Sequence, residues 1–114
     1  ESRSLLIREL CEENLEEYLT YLNPKKIIGL LMDFIRLLEE GLNKKLSNAE
    51  QLRLIIHVAC AIERMVLNSG LTYRGEKNFT ANCLEAVKNS VKVFEDSLRI
   101  ILTEDEVYHI CEII

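Results

Sequence analysis

Apolar residues recur at three- and four-residue intervals along nearly all of this 114-residue chain, and no apolar–polar alternation bounded by turn residues competes with them. Such spacing lines up one face of an α-helix, whereas a half-buried strand needs a period of two. The chain is therefore expected to be all-α. Its single proline agrees, because it follows Asn23 and so takes a first helical position, where its missing donor costs nothing and Asn23 serves as cap.

Punctuation residues divide the pattern into about five helices forming one compact bundle. Residues 4–22 carry Leu5, Leu6, Leu10, Leu15, Leu19 and Leu22 with acids on the other face, although the period slips near Asn14. A second helix should start at Pro24, turn Ile27, Ile28, Leu31, Phe34, Ile35 and Leu38 inward, and end at Gly41. Ser47-Asn48-Ala49-Glu50 is a capping box ahead of a central helix running to about Asn68. That helix is apolar on nearly all sides, so it is expected to be surrounded by the others. Past a polar connection at 71–78, Asn78 is the candidate cap of a fourth helix with Cys83, Val87, Val91, Phe94 and Leu98 inward. Thr103-Glu104-Asp105-Glu106 is a second capping box, and the last helix carries Val107, Ile110 and Ile114. No repeat or linker intervenes, so residues 1–114 form one domain, with 1–22 as an N-terminal extension or first helix.

The composition, 48% hydrophobic and 29% charged, is that of a folded protein. A formal net charge of -5 argues against direct nucleic-acid contact, which needs clustered Lys and Arg. The sequence opens on Glu1, as expected of a piece of a longer chain, so any DNA contact falls to another domain. Cys11, Cys60, Cys83 and Cys111 have no ligand-type spacing and read as reduced thiols. Pairing His57 with Cys60, or His109 with Cys111, leaves a metal without a third ligand, so neither metal nor cofactor is expected. No signal peptide is expected, and there is no uninterrupted apolar run of about 18 residues. The expected compartment is the cytoplasm, with no membrane contact.

Chemistry concentrates on the central helix, where helical spacing puts Arg53, His57, Ala61 and Arg64 along one stripe. A histidine between two arginines, with no adjacent carboxylate, is held neutral by like-charge repulsion and has cations at hand for an incoming phosphoryl group. That suits a phosphate acceptor better than a catalytic base. No Ser, Cys or carboxylate stands at a catalytic spacing to His57, and no glycine-rich phosphate loop is present, so an enzyme is not expected. The structural reading makes His57 a core residue bonded to a backbone carbonyl. On that view Arg53 and Arg64 are helix-end cations paired with Glu50, Glu63 or acids elsewhere. Exposure of the ring decides between the two.

The run His57-Val58-Ala59-Cys60-Ala61-Ile62-Glu63-Arg64 resembles the histidine-to-arginine signature of the phosphotransferase-system regulation domain, the PRD. Thr103-Glu104-Asp105-Glu106-Val107-Tyr108-His109-Ile110 looks like that family's closing segment, and Gly70 and Asn78-Phe79 fall at its turn and fourth-helix start. The likeness covers residues 24–114 and is strongest to the terminal domain of levanase-operon-type sigma-54 activators, with RNA-binding antiterminators second.

The resemblance implies a non-enzymatic regulatory domain of a bacterial transcriptional regulator. The phosphocarrier protein HPr, or a sugar-specific EIIB component, would phosphorylate His57, with Arg64 and Arg53 supporting the phosphate. The modification would then alter packing in a homodimer and so the control of carbohydrate catabolism. Antiterminator members place an aspartate before the histidine, where Ile56 stands here. Their last-helix histidine matches Ile113, which leaves His109 about one turn away and implies one phosphorylation site rather than two. The alternative function is a plain helical dimerisation or interaction module with a structural histidine.

Overall fold

Asn23 and Pro24 open the first long helix as their chemistry requires: the Asn23 side chain accepts from Lys25 N–H, and Pro24 fills the first helical position. The computed structural model describes residues 13–16, 19, 22–70, 72–76 and 78–114. Expectations for the rest of 1–22, Cys11 included, lie outside the described residues. Among the described residues there are five helices and no strand: α1 (Pro24–Leu42), α2 (Asn48–Val66), α3 (Ala81–Ser90), α4 (Lys92–Leu98) and α5 (Glu104–Ile113). Residues 13–16 are also helical, and Leu15 is fully buried.

The α1 stripe Ile27, Ile28, Leu31, Phe34, Ile35 and Leu38 is buried, as its spacing predicts. Gly41, expected to end the helix, lies inside it, and the left-handed Asn43 (φ 54°) closes it instead. Gly41 serves packing: a Cβ there would come 2.9 Å from Ala86 Cβ on α3. The glycine thus lets two helices approach closely.

At α2 both halves of the capping box form, with Ser47 Oγ accepting from Glu50 N–H and the Glu50 carboxylate accepting from Ser47 N–H. The helix ends at Val66, slightly short of the expected Asn68, which takes a left-handed conformation (φ 55°). The box at α5 is half formed. Thr103 Oγ1 accepts from Glu106 N–H, but the Glu106 carboxylate is turned to Arg64.

The expected fourth helix is two helices. Ser90 Oγ donates to the Ala86 carbonyl at 2.6 Å, a back-bond that competes with the helical ladder, and the chain breaks at Val91 before α4 resumes. Nor is Asn78 the cap, since Thr80 takes that role by accepting from Cys83 N–H. The Asn78 amide donates to Glu76 instead.

In the bundle α1 packs against α2, α3 and α4, while α5 packs against α2 and α3. The phenyl rings of Phe34 and Phe94, with centroids 5.5 Å apart, join α1 to α4. Each fully buried side chain of this kind contributes roughly 1.5–3 kcal/mol. The sequence expectation of a surrounded central helix needs correction. Helix α2 buries Leu54, Ile55, Val58, Ala59, Ala61 and Ile62 against its neighbours, but Arg53, His57 and Val66 remain exposed. Among the described residues no helix is long and apolar enough to cross a membrane.

Candidate functional site

The open face of α2 and the inward edge of α5 enclose a cleft of about 1020 Å³. Helix α2 supplies Arg53, Ile56, His57, Cys60 and Arg64, and α5 supplies His109, Glu112 and Ile113. Three-residue and four-residue steps from Arg53 through His57 and Cys60 to Arg64 make this one face. Ala61, assigned to the stripe from sequence, is instead buried in the core, and Cys60 takes its place.

His57 is exposed, and neither ring nitrogen has a hydrogen-bond partner among the described residues. It is therefore not a core histidine tied to a carbonyl. Its pKa lies below the ordinary histidine value: partial burial is the largest cause, followed by the charges of Arg53, Arg64 and His109. The neutral ring is the form that can use a nitrogen lone pair. Burial likewise pushes the Cys60 thiol up, keeping it protonated.

The two arginines differ. Arg53 is exposed and makes no hydrogen bond among the described residues. Arg64 binds Glu106 side-on, Nε donating to Oε2 and Nη2 to Oε1, each at 2.7 Å. The Glu106 carboxylate is fully buried, while the Arg64 side chain keeps 26% of its exposure. This bond raises the pKa of Arg64 and fixes the guanidinium. Arg64 thus meets one of the acids elsewhere in the chain, and it is Arg53 that has no such partner among the described residues.

His109 lies on α5 within the same cleft as His57. Its Nε2 is 3.3 Å from the Thr72 carbonyl, which only accepts, so Nε2 carries the hydrogen. The ring stands edge-on to Tyr73, with centroids 5.0 Å apart. Register alone sets His109 aside; its place in the cleft with His57 comes from the packing of α5 against α2. Glu106 and His109 are three residues apart on one helix face, a spacing that is visible in sequence; their approach to α2 is not.

Among the described residues no group of three or more His, Cys, Asp or Glu side chains could hold a metal ion. Cys83 and Cys111 are buried thiols, and burial together with the neighbouring Cys83 pushes Cys111 up to about 12. Such thiols are inert.

One helix of an all-α bundle thus carries an exposed histidine between two arginines in an open cleft, and comparison with known proteins gives the family. The PRD domain model matches residues 32–114, and the chain belongs to the PRD family. It is 27% identical over 106 residues to the transcriptional regulatory protein LevR of Bacillus subtilis, a match covering 90% of this chain and 11% of LevR. It is also 27% identical over 111 residues to the transcriptional regulatory protein DagR of Salmonella typhimurium, covering 95% of this chain and 12% of DagR. The chain thus spans about a tenth of the length of these relatives. No solved structure matches it.

Proposed function

We propose that this domain is a phosphorylation-controlled module of a bacterial transcriptional regulator, with His57 as the phosphoryl acceptor. The observation that carries this reading is the exposed, neutral His57 ring in a cleft flanked by Arg53 and Arg64. A lone pair on the ring attacks phosphorus, the bond from phosphorus to the donor atom breaks, and the phosphoryl group comes to rest among cations. The donor is the phosphocarrier HPr or a sugar-specific EIIB component. Arg53 and Arg64 support the phosphate without performing chemistry of their own, so the domain is not an enzyme.

Phosphorylation adds roughly two negative charges at the site. If that surface meets its own copy across a two-fold axis, the change is doubled, which favours repacking of a homodimer over rearrangement inside the bundle. The cleft lining includes Ile56, Leu52 and Ile113, apolar surface suited to such a contact. Membership of the PRD family and the likeness to two transcriptional regulatory proteins support a cytoplasmic regulator, of the sigma-54 activator type, with DNA held by other domains.

The second reading, a helical interaction module, draws support from the Arg64–Glu106 pair, which joins α2 to α5 without any phosphate. Incubation with EI, HPr and phosphoenolpyruvate, and again with a cognate EIIB, separates the two. Acid-labile label that disappears in His57→Ala is the expected result. No label from either donor would overturn the proposal and leave the interaction module.

A further inference from the structure

We propose that Glu106 is a positioning residue for phosphate recognition at His57: by gripping one edge of the Arg64 guanidinium, it presents the other edge to the cleft. This rests on the reading of His57 as acceptor. A guanidinium carries five N–H donors arranged in two forked edges. Glu106 takes the Nε and Nη2 edge. The two hydrogens on Nη1 and the second on Nη2 make no hydrogen bond among the described residues.

Direction and reach both favour the assignment. Side chains on a helix tend to lean towards its N-terminus, which for Arg64 is the side of Cys60 and His57. The Cys60 thiol, one turn before Arg64, feels the Arg64 charge, as does His57 itself. Arg64 also lines the same cleft as His57. A phosphoryl group on the ring would lie in the cleft that this cation also lines.

The opposite outcome, in which phosphate draws Arg64 away from Glu106, would take the cation from a carboxylate with no solvent exposure. Removing the partner of a buried charge is strongly unfavourable, whereas sharing the guanidinium between two anions keeps both satisfied. The side-on pair therefore persists on phosphorylation. Because Glu106 lies in the first turn of α5, charge arriving on α2 tightens the α2–α5 contact.

Hydrogen exchange of the Arg64 side chain, followed by NMR in the whole chain, tests this without any phosphate donor. His57→Glu supplies a carboxylate stand-in for the phosphorylated ring, and His57→Gln is the neutral control. H57E, but not H57Q, is expected to slow Arg64 Nη exchange about tenfold, the factor for one charge-assisted hydrogen bond, while Nε stays protected. Adding Glu106→Gln is expected to abolish the slowing. Should that variant not fold, Glu106→Asp, which retracts the charge by one methylene, is expected to reduce it. Loss of Nε protection in H57E, or no response of Nη, overturns the inference. Labelling of His57 is read separately, so failure there and failure here are distinguishable.

Discussion

Arg64 and Glu106, 42 residues apart in the chain, meet side-on through two 2.7 Å hydrogen bonds, with the carboxylate fully buried and the guanidinium reaching the cleft. The pair ties the end of α2 to the start of α5 and fixes one wall of the site. Replacing Arg64 by Met leaves the carboxylate in the interior without its cation, and the expected loss is about 3 kcal/mol in denaturant unfolding. The double replacement R64M/E106L should recover most of it, because neither charge is then stranded.

His57 titrates below the ordinary histidine value because of partial burial and then the charges of Arg53, Arg64 and His109. With the folded pKa below the unfolded one, the unfolded chain binds more protons in that window. Stability from this group is complete above roughly pH 6.5 and is lost as the pH falls through the folded value. An NMR titration of the His57 ring should find the depressed midpoint. Arg53→Gln should raise it partway, since burial and the other cations remain.

Gly41 on α1 and Ala86 on α3 approach closely. A methyl at position 41 gains up to about 1 kcal/mol of helix propensity but meets Ala86 Cβ at 2.9 Å. Overpacking costs roughly 1–3 kcal/mol, so G41A is expected to destabilise by about 1 kcal/mol net. In a double-mutant cycle Ala86→Gly should remove the penalty of G41A, a coupling that thermal unfolding of the four chains would reveal.

Thr80, not Asn78, caps α3. Thr80→Ala should cost about 1 kcal/mol, whereas Asn78→Ala, which loses an exposed 3.4 Å contact to Glu76, should be nearly neutral. Equal losses in chemical denaturation would contradict the assigned cap.

The elements whose physics is local were legible in the sequence. Ser47 and Glu50 satisfy backbone donors within one turn, so their capping box needs no tertiary partner, and the α1 stripe is buried as its period requires. The errors share a different cause. Gly41 looked like a helix end because the approach of Ala86, 45 positions away, does not appear in local sequence. The 81–98 segment looked continuous because the Ser90 back-bond to Ala86 competes with an otherwise unbroken helical pattern.

At the site, the shared face of the candidate histidine and its flanking cations was legible in the sequence. His57, Arg53 and Arg64 lie on one helix, where geometry follows from 3.6 residues per turn. Packing alone decided that Ala61 is buried while Cys60 faces the cleft, that His109 joins His57 there, and that Glu106 rather than a neighbouring acid holds Arg64. Helical periodicity sets which residues share a face, but a helix can be rolled and slid against its neighbours without changing that pattern. Only the bundle fixes which face looks outward, and which distant carboxylate lies within reach of a given guanidinium.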